Sequence, residues 1–284
     1  MDSTLAIDIG GTKFSLALFD DERISARVTR ATNREGSAEW MLAQIKEIAR
    51  GWKFGGCGVG FGGPVGLDRR RAALSTQVPG WSDFPLVDRL EAMLGVPVAM
   101  DNDANAGALG EARYGAGRGA LPLLYVTLST GIGGGIVLAG GDVYRGADSW
   151  AGEIGHITLR PDGPECLCGA RGCFERMCSG LWLERDYGKP PRELFEDPEF
   201  VSRYVVDAAQ GLKAGIMLLN PARVVIGGGI AQAGDRLFAP LRAELARQMT
   251  AWSQARLDVV PAALGSDSVL WGALALARDD RRGA

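Results

Sequence analysis

The 284-residue chain has a single histidine, only five cysteines and no marked excess of charge of either sign. A formal net charge of -3 and an isoelectric point near 5.4 argue against a general nucleic-acid-binding protein, which usually presents a basic face. No apolar run approaches the roughly 20 residues of a membrane-spanning helix, and the first residues do not form a charged and then apolar leader. These absences predict a cytoplasmic protein that binds neither nucleic acid nor a membrane.

The chain length bears on domain organisation. Single hydrophobic cores stop growing at roughly 250–300 residues, so a chain of 284 residues is expected to contain two domains.

The only histidine stands close to three of the five cysteines. His156 is followed by Cys166, Cys168 and Cys173. One imidazole and three thiolates fill a tetrahedral zinc site and leave no position for water, which is typical of structural zinc. Free thiols or a disulfide loop are the alternative interpretation, but the upstream histidine favours zinc. Reduced cysteines also fit a cytoplasmic protein.

Two carboxylates flank these ligands in the sequence. Glu153 precedes His156, and Glu175 follows Cys173. A ring nitrogen on zinc leaves the other nitrogen of the imidazole free for a ligand, so the zinc loop is expected to present Glu153, Glu175 and His156 to a polar molecule. The remaining cysteines, Cys57 and Cys178, are expected to be core residues, with Cys178 close enough in sequence to substitute as a zinc ligand.

The first part of the chain predicts a β-hairpin with a glycine turn. The apolar run 5–9 is followed by residues 10–13, which include two glycines, and by a second apolar run at 14–19. A turn without side chains lets backbone N–H groups approach an anion, and Asp8 beside it is suited to hold a magnesium ion against phosphate. An ordinary tight hairpin is the alternative interpretation.

Two further glycine turns support a nucleotide site. Residues 130–135 join two apolar runs in a second hairpin, which suggests a duplicated domain with one phosphate-binding turn from each half. Residues 227–229 separate a predicted strand at 224–226 from a helix expected at about 235–249, and suit a base and ribose, although helix–strand packing explains these glycines equally well. Neither hairpin turn has the Walker pattern.

A candidate general base follows another buried strand. The strand predicted at 97–100 leads into Asp101, Asn102 and Asp103, where a helix begins. An acid at the end of a strand lies at the mouth of the sheet, where ligands of α/β folds bind. Because the only histidine is assigned to zinc, a carboxylate is the natural base, and Asp103 is our candidate. The alternative is that Asp101 or Asp103 only caps the helix.

Other segments complete the predicted order of elements. Helices are predicted at 38–50 and 267–278, residues 89–94 are predicted to end another helix, and a strand is predicted at 57–61. The polar, proline-containing segment 187–199 predicts a loop or lid.

Together, five motifs resemble the ROK family of repressors, open reading frames and sugar kinases. They lie at residues 8–12, 102–105, 130–135, 153–156 and 166–175. The resemblance covers nearly the whole chain and implies an α/β, actin-like (ribonuclease H-like) ATPase fold with two lobes and an interdomain cleft. Residues 1–106 with a C-terminal helix at 267–284 would form the small N-terminal lobe. Residues 107–266 would form the large lobe, with the zinc loop and nucleotide-binding turns.

The resemblance also implies an ATP-dependent kinase that acts on the 6-hydroxyl of a hexose. Glucose is the first candidate, with N-acetylmannosamine or N-acetylglucosamine as alternatives. Asp103 would be the catalytic base. The residues implied at the sugar are Gly63, Thr76, Asn102, Asp103, Glu153, His156 and Glu175. Those implied at ATP and Mg²⁺ are Asp8, Gly10, Gly11, Thr12, Lys13, Thr130, Gly131, Gly133, Gly228 and Gly229. The structural Zn²⁺ ligands would be His156, Cys166, Cys168 and Cys173, and the family resemblance implies a homodimer.

The sequence departs from the family near the sugar. Members often have Asn two residues before a Pro-Gly-Trp triplet, where this chain has Gln77, and Thr76 could take over the contact as in some acylamino-sugar kinases. The repressor branch carries a DNA-binding helix-turn-helix ahead of its first hairpin. Because Asp8 comes early and Asp103 is present, we expect a kinase; a sugar-binding protein without catalysis is the alternative from another class.

Overall fold

The computed structural model describes residues 3–75, 78–250, 253 and 255–283. These residues form two β-sheets with helices packed against them. The strands are β1 (Thr4–Ile9), β2 (Lys13–Asp20), β3 (Arg23–Ala31), β4 (Cys57–Phe61), β5 (Val98–Asn102), β6 (Leu123–Leu128), β7 (Ile132–Val137), β8 (Arg223–Gly227) and β9 (Val259–Pro261). The helices are α1 (Ala38–Ala49), α2 (Leu86–Leu94), α3 (Asp103–Tyr114), α4 (Phe174–Cys178), α5 (Gly180–Tyr187), α6 (Pro191–Leu194), α7 (Pro198–Leu219), α8 (Asp235–Gln248) and α9 (Ser268–Gly283).

The first sheet has the strand order β3-β2-β1-β4-β5. β1 and β2 form the predicted antiparallel hairpin, and β1, β4 and β5 run parallel. Every residue of β4 is buried, as expected for a central parallel strand that is covered on both faces. β3 alternates between exposed and half-buried residues, which fits its place at the edge of the sheet.

The second sheet repeats this connectivity with the order β7-β6-β8-β9. β6 and β7 form an antiparallel hairpin, and β8 and β9 continue parallel to β6. Apart from β3, which pairs antiparallel with β2 in the first sheet, each sheet is therefore a hairpin followed by two parallel strands, in agreement with the predicted duplication. The two glycine turns occupy equivalent positions, at the tip of each hairpin.

Two helices join the sheets. α3 contacts β4 and β5 of the first sheet and β6 and β7 of the second, and α9 packs along α3 and against β1, β4 and β5. The predicted boundary between residues 106 and 107 falls within α3, and the division into lobes stays a prediction.

The prediction of a loop or lid at 187–199 is wrong. This segment contains α6 and the first residues of α7. Pro191 and Pro198 each lie in the first turn of a helix, where the missing N–H costs no hydrogen bond, and Asp197 caps α7 by accepting from the N–H of Glu199 at 2.9 Å. The buried side chain of Phe195 anchors the segment to the core of the second sheet.

A buried carboxylate joins the two chain segments that lead into and out of the second sheet. Glu111 on α3 has no exposed surface. Its Oε2 accepts from the N–H groups of Ala116, at 2.7 Å, and Ala263, at 3.1 Å. Its Oε1 accepts from the N–H of Leu264, at 3.0 Å, and from the hydroxyl of Ser268, at 2.7 Å. One side chain thus fixes the segment after α3 to the segment before α9.

Glu111→Gln is expected to lower the free energy of unfolding by on the order of 3 kcal/mol, because a neutral amide replaces a charged acceptor and turns an NH₂ group toward N–H donors. Urea denaturation would measure this loss. In the control variant Glu199→Gln, which removes an exposed pair with Arg203, the change should stay below about 1 kcal/mol. Equal losses in the two variants would contradict the role assigned to Glu111.

Among the described residues, no helix is both long enough and apolar enough to span a bilayer.

Candidate active site

The predicted base lies at the junction of β5 and α3. Asp103 is the first residue of α3, and Asn102 is its cap. The side-chain oxygen of Asn102 accepts from the N–H groups of Ala104, at 2.9 Å, and Asn105, at 3.3 Å. The helix is therefore capped by Asn102, and neither Asp101 nor Asp103 is needed for that role. One oxygen of Asp103 accepts from the Ala104 N–H at 2.8 Å.

Burial makes the Asp103 carboxyl unusually basic. Desolvation raises its pKa to about 6, with a further increase from the charge of Glu153 and an opposing effect of the Ala104 N–H. Desolvation also raises the pKa of Asp8 to about 7, and the nearby charge of Asp103 adds to the increase. The structure therefore brings Asp8, Asp103 and Glu153 within electrostatic reach of one another. Groups that titrate near neutral pH are frequent at catalytic sites.

The first glycine turn lies beside Asp103. Gly62 donates its N–H to the carbonyl of Ile9 at 2.8 Å. A Cβ at Gly62 would come within 2.9 Å of that carbonyl, 3.3 Å of the Gly10 Cα and 3.6 Å of Asp103 Oδ2. A side chain at position 62 would clash with these atoms, so only glycine at this position lets Asp103 lie next to the turn.

Two residues that follow β3 donate hydrogen bonds to the first glycine turn. Thr32 donates its hydroxyl to the Gly10 carbonyl, at 2.7 Å, and its N–H to the Thr12 carbonyl, at 2.9 Å. Arg34 Nη2 donates to the Thr12 hydroxyl at 3.4 Å. Sequence reasoning missed Thr32 and Arg34, because they follow an edge strand and belong to no glycine motif.

The second glycine turn is held by α5 and by Glu175. The first N–H groups of α5, from Gly180 and Leu181, donate to the carbonyls of Ser129, at 2.7 Å, and Thr130, at 3.1 Å. Glu175 Oε2 accepts from the N–H of Ile132 at 2.8 Å. Glu175 was predicted at the sugar, and that role stays a prediction; its contact with the second turn was not predicted.

The two turns face each other. The hydroxyl oxygens of Thr12 and Thr130 lie 3.5 Å apart, although the residues belong to hairpins of different sheets. Glycine turns of this kind can bind phosphate through their backbone N–H groups.

The third glycine turn lies at the same edge of the second sheet as the Thr130 turn. Thr127 of β6 pairs with Gly227 of β8, so both turns follow the same end of parallel strands. Gly228 has φ +90°, and a Cβ there would lie 2.3 Å from the Leu128 carbonyl oxygen. Only glycine fits this position. Gly229 has open space in front of it.

The predicted zinc ligands come together. One donor atom from each of His156, Cys166, Cys168 and Cys173 lies within 4.8 Å of all the others. His156 Nδ1 is 4.0 Å from the sulfur of Cys166, and the sulfurs of Cys168 and Cys173 are 3.6 Å apart. No described cysteine is in a disulfide. The donor set and its spacing fit a structural Zn²⁺.

Cys57 and Cys178 lie outside this cluster and are fully buried, as predicted for core residues. Burial raises the pKa of both thiols, as expected of unreactive cysteines in apolar surroundings.

The imidazole links the zinc cluster to Glu153. Nδ1 of His156 faces the cysteines, and Nε2 lies 3.9 Å from Glu153 Oε2. Both side chains are partly exposed, at 36% and 41%. Zinc on Nδ1 would leave Nε2 beside Glu153; that this nitrogen binds a ligand stays a prediction.

The other predicted site residues are placed as follows. The carbonyl of Gly63 accepts from Asn102 Nδ2 at 3.0 Å. Gly131 lies against Glu175, and Gly133 is within β7 facing Ala104. Gly11 lies in the first turn and Lys13 begins β2. Thr76, and the neighbouring Gln77, lie outside the described residues.

Comparison with known proteins places these motifs in a family. The model of the ROK family matches residues 4–280. A glucokinase of Thermotoga maritima is 35% identical, with 97% of each chain covered. A solved ROK family glucokinase from Streptomyces griseus, in complex with glucose and AMPPNP, is 30% identical with a TM-score of 0.86, covering 98% of this chain and 99% of that one. A ROK hexokinase from Thermus thermophilus is 34% identical with a TM-score of 0.81, covering 99% and 100%.

The likeness spans both sheets and both helices between them, so it confirms the actin-like α/β fold that the motifs implied. The chain belongs to the ROK family.

Proposed function

We propose that this chain is an ATP-dependent kinase that phosphorylates a hexose, glucose first, at the 6-hydroxyl. The observation that carries the proposal is the buried carboxylate of Asp103, with its pKa raised to about 6, beside the first of two opposed glycine turns. The similarity to glucokinases over nearly the whole chain supports glucose as the substrate.

In the proposed reaction Asp103 acts as the general base. Its carboxylate accepts the proton of the sugar hydroxyl while the sugar oxygen attacks the γ-phosphorus of ATP. The bond between the γ-phosphorus and the bridging oxygen breaks, and ADP leaves with the electron pair. A base that titrates near pH 6 is mostly ionised at neutral pH and remains basic enough to take the proton.

The sugar would be oriented by polar groups around Asp103. Asn102 is fixed by its contacts with α3 and with the Gly63 carbonyl. Glu153 and the Nε2 of His156 would contribute from the segment that leads into the zinc cluster, and the charge of Glu153 acts on Asp103. Orientation of this kind supplies much of the rate of phosphoryl transfer, since the reaction needs little from the protein besides positioning and charge neutralisation.

ATP would lie against the glycine turns, with its phosphates beside the Thr12 and Thr130 turns and its nucleoside toward Gly228 and Gly229. A bound Mg²⁺ supplies charge neutralisation on the phosphates, and Asp8 at the end of β1 would hold it. Zinc would have a structural role, keeping Glu153 and His156 in place.

The activity is expected to fall at acid pH. The Asp103 carboxylate must be ionised to accept a proton, and its pKa is raised from 3.8 to about 6. The ionised fraction therefore falls as the pH drops through 6, and kcat/KM for the sugar should fall about tenfold per pH unit below this value. An acid limb centred near 3.8 in the pH profile would contradict the raised pKa of the base.

The substrate is tested with a panel of glucose, mannose, N-acetylglucosamine and N-acetylmannosamine, with ADP release as the readout. We expect glucose to give the highest kcat/KM, and ³¹P NMR of the product to show phosphate on carbon 6. An acylamino sugar as the best substrate would replace glucose in the proposal. ADP release that does not depend on any sugar would refute a sugar kinase.

We also propose a homodimer, as the family resemblance implies. Sedimentation velocity should then give twice the 30.1 kDa mass of the chain.

A further inference from the structure

A buried ion pair connects the two sheets directly behind the proposed base. Asp101, on β5, is only 2% exposed, and its partner Arg145 comes from the segment after β7. Arg145 Nε and Nη2 lie 2.7 Å and 2.6 Å from Asp101 Oδ2. Two guanidinium N–H groups thus converge on one carboxylate oxygen, and these charge-assisted hydrogen bonds hold Arg145 close to Asp101.

The other oxygen of Asp101 is bound to the turn that carries the base. Oδ1 accepts from the N–H of Asn102, at 2.8 Å, and from Nδ2 of Asn105, at 3.0 Å. Asn102 and Asn105 flank Asp103 in the sequence. A shift of the Asp101 carboxylate would therefore move the first turn of α3, and Asp103 with it.

Arg145 is in turn fixed to the segment that carries Glu153. Its Nη1 donates to the carbonyl of Val143, at 3.1 Å, and its own carbonyl accepts from the N–H of Ala151, at 3.1 Å. Val143 pairs with Val137 of β7, so the start of this loop is attached to the second sheet. Two residues after Ala151 the chain reaches Glu153.

We infer that Asp101 and Arg145 form a positioning pair, which sets Asp103 on the first sheet and Glu153 on the second at the separation that phosphoryl transfer to the sugar requires. Neither residue of the pair was predicted to act at the site, and both act through their neighbours rather than on the sugar. The inference rests on the proposed function, because it assigns the pair a part in that reaction.

A charged pair suits this position because Arg145 lies on a loop of the second sheet and its partner lies on β5 of the first. An arginine reaches from one sheet to the other, whereas an apolar contact would fix neither orientation nor register. Because the Asp101 carboxylate is almost fully buried, removing its cation would leave an unpaired charge in the interior, which is strongly destabilising. Arg145→Ala is therefore a poor first test.

Arg145→Lys is the sharper variant, because it keeps the charge and loses the two guanidinium hydrogen bonds that converge on Asp101 Oδ2. Small displacements of reacting groups cost up to about 100-fold in rate, and we expect kcat to fall at least about tenfold. KM for ATP should stay within about twofold, since the glycine turns are not touched. Asp101→Asn should likewise lower kcat and leave the KM for ATP nearly unchanged.

Arg223→Lys is the matched control. Arg223 Nε binds Asp258 at 2.9 Å and Nη1 binds the carbonyl of Ala116, but the residue begins β8, at the end remote from the glycine turns. This variant should keep the wild-type kcat. Melting temperature and circular dichroism of each variant show whether it is folded.

A folded Arg145→Lys variant with kcat within about twofold of the wild type would overturn the positioning role. An equal loss in Arg223→Lys would also overturn it, because the loss would then follow from ion-pair weakening in general. If the wild-type protein phosphorylates no sugar in the panel, the proposed function fails, and the inference fails with it. If the wild type is active, only the variants decide the inference.

Discussion

Asp103→Asn is expected to lower kcat for sugar phosphorylation by roughly 10³ to 10⁴-fold, the upper range for removal of a general base. Asparagine has the shape of aspartate and can still accept from the Ala104 N–H, but it cannot take the proton of the sugar hydroxyl. ADP release measured with saturating glucose and ATP gives kcat directly. Because the change is nearly isosteric, the loss should appear in kcat rather than in the amount of folded protein.

Binding and a surface variant provide the controls for this prediction. Calorimetry should show glucose affinity within about threefold of the wild type, since Asn102 and Glu153 keep their contacts. Asp88→Asn removes an exposed pair with Arg70 and should leave kcat unchanged. If Asp103→Asn retained kcat within about tenfold of the wild type, the base would have to be another group, and Asp8, a carboxyl whose pKa is also raised by burial, would be tested next.

Cys168→Ser is expected to remove zinc and to lower the melting temperature by at least about 10 °C. Structural zinc contributes on the order of 10 kcal/mol to folding the residues that it gathers, and a hydroxyl is a poor substitute for a thiolate ligand. At this chain length each kcal/mol corresponds to roughly 2–4 °C. Metal analysis of the purified protein and a thermal melt measure the two effects.

Cys178→Ala is the matched control, because Cys178 is a nearby buried cysteine outside the ligand cluster. This variant should keep one zinc per chain and lose only the stability that a small core cavity costs. An unchanged zinc content in Cys168→Ser would reject the four-ligand assignment. Loss of zinc in Cys178→Ala would show that this thiol is a ligand after all.

Chelation tests what the zinc does for the site. Removing the metal should weaken sugar binding more than ATP binding, because His156 and Glu153 belong to the metal segment whereas the Thr12 turn does not. Equal weakening of both ligands would indicate that the zinc stabilises the whole second sheet rather than the sugar side of the cleft.

Local patterns were sufficient for most of the elements and for the zinc cluster. The strand Cys57–Phe61 is found at its predicted bounds, and the helices at 38–49 and 235–248 differ from prediction by one residue at an end. The ligand cluster was predictable because three of its four members lie within eight residues and the fourth is the only histidine. Residues that act together can be recognised from the sequence when they lie within one short segment.

The segment 187–199 shows where local composition misleads. Its prolines favoured a loop, but proline is also suited to the first turn of a helix, and Asp197 and the buried Phe195 decide between the two. Burial of Phe195 depends on the core of the second sheet, and no window of sequence contains that core.

The sequence by itself determined which residues are candidates for the chemistry: the ligands of the zinc cluster, the glycine turns and the acid that follows β5. Tertiary structure decided how they meet. The contacts of Thr12 with Thr130, Glu175 with the Ile132 N–H, and Asp101 with Arg145 join residues 118, 43 and 44 positions apart. Such contacts depend on how separate elements pack against one another, and side-chain periodicity along one strand or helix does not encode the distance between them.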